Sequence, residues 1–218
     1  MKAIVIATVH GRCLPVMMSS IKHYVPSDVV VYISAPKGLI PTLPQNQECI
    51  LIENTGTNFG DSYNEVVHRA FEDFDEIIVA NDDIVLKPDS YSQLEQDLNI
   101  IKQQFKNIGW VVCKSDYVRT VQSIVHNNEA NIVKVQRTSP IFGYVSKEAW
   151  VDFPPINWYS DDIQCIDMIT KGYEHFVTRC YVHHVGSATI TQNHHKNHLD
   201  AESWIKANRP ELHGVWYK

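Results

Sequence analysis

The sequence predicts an α/β domain with a mostly parallel central sheet flanked by helices and a less regular second half. Three observations predict it. Residues 3–8, 29–34, 49–53 and 76–81 are short apolar runs, the pattern of strands buried on both faces. Apolar residues recur at helical spacing between the first and second runs and between the third and fourth. Strand and helix therefore alternate, with right-handed crossovers. The 218 residues are 44% hydrophobic and 20% charged, an ordinary globular composition in a chain long enough to bury a substantial core.

Each element follows from its residues. Residues 3–8 form the first strand; this run follows one lysine, is too short for the apolar region of a signal peptide and has no cleavage site. A turn at His10-Gly11-Arg12 leads into a helix marked by Leu14, Met17, Met18 and Ile21, which Pro26 closes. Residues 29–34 form the second strand, residues 35–47 a loop with three prolines, and residues 49–53 the third strand. The Gly/Asn-rich turn 54–60 precedes an amphipathic helix carrying Tyr63, Val66, Val67, Ala70 and Phe71. The fourth strand ends at Asn81. Ser90 and Gln93 have capping-box spacing, and Tyr91, Leu94, Leu98, Ile101 and Phe105 mark the helix they open. Residues 110–113 form a fifth strand. Further on, residues 132–135 and 140–145 read as strands, and Asp161-Asp162 opens a helix with Ile163, Ile166 and Ile169 that stops near Gly172. Residues 176–185 form a strand ending in His183-His184. From Thr191 the tail is polar and His-rich, with Trp204 and Trp216 as packing anchors. No repeat or linker divides the chain, so residues 1–218 read as a single domain.

Chemistry-bearing side chains gather at the ends of these elements. Asn81-Asp82-Asp83 closes the fourth strand, at the carboxyl end where open α/β sheets bind ligands. On extended backbone Asn81 and Asp83 share a face and Asp82 takes the other. Two oxygen-bearing side chains on one face suit a hard divalent cation that also holds phosphates. A solvated acidic turn before Pro88 accounts for the same residues. Thr8 to Arg12 form a polar turn after the first strand, where Arg12 can pair with phosphate. In residues 54–64, glycines admit a ligand to the backbone and a helix N-terminus favours anions. GxGxxG and Gly-Lys-Ser/Thr are both absent, so this is neither a dinucleotide fingerprint nor a P-loop. Simple helix capping also explains it.

Trp158-Tyr159-Ser160-Asp161-Asp162 places carboxylates at a helix N-terminus, where the dipole keeps them ionised. They are good caps, or a general base beside an acceptor hydroxyl, with aromatic rings suited to sugar faces. In Tyr181-Val182-His183-His184 the two histidines point opposite ways, and one of them can complete a metal site begun elsewhere. His194-His195 lies in the polar tail.

The net charge of −6 argues against a nucleic-acid surface and calls for a cation wherever phosphate is bound. Cys13, Cys49, Cys113, Cys165 and Cys180 are odd in number and form no CxxC pair. That points away from zinc and disulfides and to a reducing, cytoplasmic setting. No run approaches the ~18 apolar residues of a membrane span.

Taken in order, these motifs resemble the GT-A fold glycosyltransferases, particularly family 2. Thr8 and Arg12 match the turn after the first strand, and residues 54–64 loosely match a Gly/Asn-rich segment after the third. Asn81-Asp82-Asp83, with Val85 and Pro88 downstream, matches the DxD-type metal motif. Asp161-Asp162 with Gly172-Tyr173 matches an acidic pair and the end of its helix, and Val182, His184, Gly186 and Ser187 match a closing pattern. The resemblance covers most of residues 1–187 and none of the tail. Asn81 stands where the family has Asp, the second strand ends in Ser34 without an acidic residue, and the pair is Asp-Asp where Glu-Asp is commoner.

The resemblance implies a GT-A type, Rossmann-like sheet. Residues 1–114 would bind a nucleoside diphosphate sugar, residues 115–187 would carry the base and face the acceptor, and residues 188–218 would form a tail. It implies metal-dependent, inverting transfer of a sugar to a hydroxyl. Asp83 and His184 would hold Mn²⁺ or Mg²⁺, with Asn81 or Asp82 assisting. Thr8, Arg12, Ser34, Asn58, Gly60, Asn64, Asn81 and Asp82 would contact the donor. Asp162, preferred to Asp161 on the resemblance alone, would deprotonate the acceptor, which is a glycan, a protein or another hydroxyl compound. Two other classes fit the same residues: a sugar-phosphate nucleotidyltransferase, which releases pyrophosphate, and a non-catalytic nucleotide or carbohydrate binder that lacks turnover.

Overall fold

The computed structural model describes residues 3–39, 43, 46–126, 130–185 and 194–215. Its strands, in chain order, are β1 (Ala3–Ala7), β2 (Val30–Pro36), β3 (Cys49–Asn54), β4 (Glu76–Asn81) and β5 (Ile84–Leu86), then β6 (Ile108–Lys114), β7 (Val133–Val135), β8 (Phe142–Ser146) and β9 (Glu174–His184). The helices are α1 (Leu14–Tyr24), α2 (Phe59–Asp73), α3 (Ser90–Gln104), α4 (Ser160–Thr170) and α5 (His194–Asn208). The sheet runs β3-β2-β1-β4-β8-β6-β9-β5, with β7 also on β9. Strands β1, β2, β3, β4, β6 and β9 share one direction, and β5, β7 and β8 oppose it. This is the predicted mostly parallel α/β sheet.

The apolar runs are apolar because both sheet faces are covered. In β1, Ile4 and Ile6 pack with Leu14 and Met17 of α1 and Leu94 and Leu98 of α3. Ala3 and Val5 pack on the other side with Val66 and Val67 of α2 and Met168 of α4. Period-two alternation thus fills two cores from one strand. Trp110 is fully buried in the second core, and its indole N–H donates to Gln164 Oε1 at 2.8 Å. The pairing removes the cost of burying an indole donor.

The structure adds to the predicted elements and corrects some of them. Strand β5 was not expected; it is three residues long and pairs antiparallel with the end of β9. The capping box does not form. Asp89 precedes α3, while Ser90 Oγ accepts from Lys87 N–H at 2.8 Å and donates to the Tyr181 carbonyl at 2.6 Å. Ser90 therefore ties α3 to β9. The polar tail contains α5, whose Ala201 and Ile205 pack on Ile156, Ile163 and Leu212, with Trp204 partly buried beside them. Gly186, Ser187 and Trp216 lie outside the described residues. Among the described residues no helix is long and apolar enough to cross a membrane.

Candidate active site

The order β3-β2-β1-β4 places the reversal of chain progression between β1 and β4. Ligands of open α/β sheets bind in the crevice at such a point, outside the carboxyl ends of the strands. Thr8 follows β1 there and Asn81-Asp82-Asp83 ends β4. Thr8 is buried; its hydroxyl accepts from Gly11 N–H at 2.9 Å and donates to Asp82 Oδ2. Burial, opposed by the Thr8 hydrogen bond and reinforced by the charge of Asp83, raises the Asp82 pKa. The predicted separation of Asp82 from Asn81 and Asp83 does not hold, because residues 82 and 83 form a turn between β4 and β5. All three line a cavity of about 400 Å³, together with His10, Asn54 and Asn58.

Strand β5 decides the position of Asp83. It pairs Ile84 with His184, and the next backbone bond runs from Val185 N–H to the Asp83 carbonyl at 2.9 Å. The two side chains meet: His184 Nε2 lies 3.1 Å from Asp83 Oδ1, and both residues are buried. His184 Nδ1 lies 2.5 Å from the Tyr117 carbonyl. A carbonyl only accepts, so Nδ1 carries a proton. Nε2 then either carries a second proton or turns a lone pair toward a carboxylate oxygen, an arrangement that a cation between them resolves. Burial lowers the His184 pKa, but the hydrogen bond and charge of Asp83 outweigh it, and the net direction is upward.

These residues fit a divalent ion. Carboxylate oxygen and imidazole nitrogen are both suitable ligands, and neighbouring ligands on an octahedron with bonds of about 2.1 Å lie about 3 Å apart. Among the described residues no group of three His, Cys, Asp or Glu converges on one point.

Asp161 and Asp162 open α4 from Tyr159, whose φ of 62° makes it the one left-handed non-glycine among the described residues. Arg119, on the segment after β6, spans the pair: NH1 donates to Asp162 Oδ1 at 2.7 Å and NH2 to Asp161 Oδ2 at 2.8 Å. Arg137 NH1 reaches Asp162 Oδ1 at 3.3 Å. Asp162 is buried; burial and the charge of Asp161 raise its pKa against the pull of Arg119. Both aspartates line a second cavity, of about 950 Å³, beside Trp158, Tyr159 and Arg137. Phe59, Asn81, Asn157 and His184 line both cavities.

Not every expected residue reaches a cavity. Asn58 does, and its Oδ1 caps α2 through Asp61 N–H at 2.9 Å. Gly60 packs closely against the chain at Pro154, since a Cβ there would lie 1.9 Å from the Pro154 carbonyl oxygen. Asn64 pairs with the Phe153 backbone, donating to its carbonyl and accepting from its N–H, each at 2.9 Å. Ser34 is fully buried within the sheet with its hydroxyl unpaired among the described residues, and Arg12 is exposed; neither lines either cavity. His183 turns outward and meets Asp116 Oδ2 at 2.5 Å.

Arg119, Arg137 and Asn157 escaped the sequence reading. The one available signal was the Asp-Asp pair itself, because two adjacent carboxylates, once either is buried, require a cation nearby. Nothing local says which arginine supplies it.

The fold is the GT-A fold of glycosyltransferases. No protein-family model and no curated protein matches the sequence. Among solved structures the chain is similar to S. aureus TarS 1-349, at TM-score 0.57 and 12% identity over 94% of this chain and 66% of that one. It is similar to the same protein in complex with UDP, at TM-score 0.58 and 13% identity over 84% and 60%. It is also similar to GalNAc-T7 with UDP, GalNAc and Mn²⁺, at TM-score 0.64 and 9% identity over 84% and 43%. The chain spans 40% to 66% of the length of the matched TarS chains.

Proposed function

We propose that this chain transfers a sugar from a nucleoside diphosphate sugar to an acceptor hydroxyl, with inversion at the anomeric carbon. The observation that carries the proposal is the meeting of two cavities at Asn81 and His184, one holding Asp82 and Asp83 and the other Asp162. A transferred group has to touch a donor site and an acceptor site at once, and this shared wall allows it. The solution of similar folds with UDP, and in one case Mn²⁺, supports a nucleotide-sugar donor and a divalent ion.

In this reading the smaller cavity takes the nucleotide, with Thr8 holding Asp82 toward ribose or sugar and the N-terminus of α2 favouring phosphate. Asp83 and His184 would hold Mn²⁺ or Mg²⁺, which when bound supplies charge to neutralise the departing diphosphate. The sugar lies at the junction. Asn157 is oriented there because its Oδ1 accepts from Phe59 N–H at 2.8 Å. Asp162 takes the acceptor proton through Oδ2, since Oδ1 is occupied by Arg119 and Arg137. A carboxylate suffices as base when sugar departure precedes proton transfer, because an oxocarbenium-like centre acidifies the approaching hydroxyl. Trp158 and Tyr159 support a sugar-bearing acceptor, their flat faces matching the apolar faces of a pyranose.

Incubation with Mn²⁺ and a panel of UDP-, GDP- and TDP-sugars, with glycan and peptide acceptors, tests the proposal by nucleoside diphosphate release. Release from at least one donor is expected. Pyrophosphate release from a nucleoside triphosphate and a sugar phosphate would establish the nucleotidyltransferase alternative. Calorimetric binding of donors without release from any would establish the binding module.

A further inference from the structure

We infer that Arg119 is a positioning residue for the base: its guanidinium bridges Asp161 and Asp162, occupies one oxygen of Asp162 and leaves the other directed to the acceptor cavity in ionised form. The role given to Asp162 rests on the glycosyltransferase reading; the bridge itself is independent of it.

Each of the three guanidinium nitrogens of Arg119 has a partner. Nε donates to Ser139 Oγ at 2.9 Å, NH1 to Asp162 and NH2 to Asp161. Two of these three bonds go to carboxylates, one from each terminal nitrogen. The bridge is anchored from behind. Ser139 Oγ donates to Asp161 Oδ2 at 2.9 Å, and Ser139 N–H donates to Gln122 Oε1 at 2.6 Å. Buried Gln122 in turn donates to the Cys113 carbonyl of β6 at 3.2 Å. A chain of hydrogen bonds thus runs from the sheet to the base. Asp162 Oδ1 accepts from both arginines, and Oδ2 accepts no hydrogen bond among the described residues.

The charge problem at Asp162 has one dominant solution. Asp161 repels it from its own helix, and burial disfavours its charge. Tyr159 from the cap and Cys165 one turn on are the other titratable groups nearby. Against these stand Arg119 at 2.7 Å and the more exposed Arg137 at 3.3 Å. Lysine in place of Arg119 would supply charge but not a planar fork across two carboxylates.

The experiment labels the full chain with [¹³Cγ]aspartate, assigns Asp162 through D162N, and follows its titration by NMR in wild type, R119Q, R119K and R137Q. The expected result is a rise of the Asp162 midpoint by about 1–3 pH units in R119Q and a smaller rise in R137Q. The acidic limb of nucleotide-sugar turnover in R119Q moves up by the same amount, while UDP with Mn²⁺ raises the melting temperature as in wild type. R119K keeps the midpoint near wild type yet turns over at least ~10-fold more slowly, because positioning is lost; it also carries the test should R119Q fail to fold. An unchanged Asp162 midpoint in R119Q, or wild-type turnover in R119K, overturns the inference. A shifted midpoint in R119Q, together with a wild type that releases nucleotide from no donor, overturns the glycosyltransferase reading instead.

Discussion

His184 Nε2 lies 3.1 Å from Asp83 Oδ1 across 101 residues of chain. Three residues of β5 accomplish this by pairing with the last three of β9, which sets a motif after the fourth strand against a histidine at the end of the ninth. The Tyr117 carbonyl, 2.5 Å from His184 Nδ1, then fixes which ring nitrogen faces Asp83.

Replacing either member of that pair should uncouple UDP binding from the metal. In Asp83→Ala and His184→Ala, Mn²⁺ affinity is expected to fall by about 100-fold or more. The rise in melting temperature that UDP gives in Mn²⁺ is expected to disappear, with the circular dichroism spectrum preserved. Chelation of wild type should have the same effect on the UDP shift. A UDP shift that survives both substitutions would remove the metal from this pair.

Asp162→Asn should leave UDP binding intact and lower sugar transfer by about 10²–10⁴-fold, the usual worth of a general base. Amide and carboxylate are nearly isosteric, so the helix start is retained. Collapse of UDP binding in this variant would move Asp162 from the acceptor side to the donor side.

Gly60→Ala and Asn64→Ala should cost stability and spare nucleotide affinity. A Cβ at Gly60 meets a backbone carbonyl that has little freedom to move, an overpacking worth about 1–3 kcal/mol. Removing the Asn64 amide orphans the Phe153 N–H and carbonyl, also about 1–3 kcal/mol. Urea midpoints measure the loss. A large drop in UDP affinity with unchanged stability would return these residues to the donor site.

His175 should make the fold acid-sensitive near neutrality. Its Nδ1 accepts from Trp110 N–H at 2.9 Å and its Nε2 lies 3.0 Å from the Cys165 carbonyl, so the buried ring is neutral. Burial lowers its pKa, only partly offset by that carbonyl. The unfolded chain therefore takes up the proton first as pH falls. The contribution is complete above the unfolded pKa, about 6.5, and is lost as pH drops from there toward the depressed folded value. Urea midpoints from pH 8 to 5 should decline more steeply in wild type than in His175→Asn. Parallel profiles would exclude His175 as the source.

Much of the fold was legible in the chain, and the legible parts were local. The runs 3–8, 29–34 and 76–81 announced buried strands because covering a sheet on both faces demands unbroken apolar sequence. Leu14, Met17, Met18 and Ile21 announced a helix because one face must meet that sheet. Asn81-Asp82-Asp83 and Asp161-Asp162 stood out because carboxylates at element ends are open to ligands. Strand β5 was invisible, since three residues carry no period and its partner lies about a hundred residues away. Ser90 and Gln93 misled for the opposite reason, because a local spacing was overridden by a tertiary bond to β9.

By itself, then, the sequence determined the alternation of strand and helix and the two acidic clusters, because hydrophobic period and residue chemistry are properties of neighbours. Only the tertiary structure decided which histidine meets Asp83 and which arginine spans Asp161 and Asp162. It also set Gly60 and Asn64 against the Phe153–Pro154 backbone and gave two cavities a shared wall at Asn81. Those depend on strand register and on distances between segments far apart in the chain, and a change of one residue in register reverses every side chain it places.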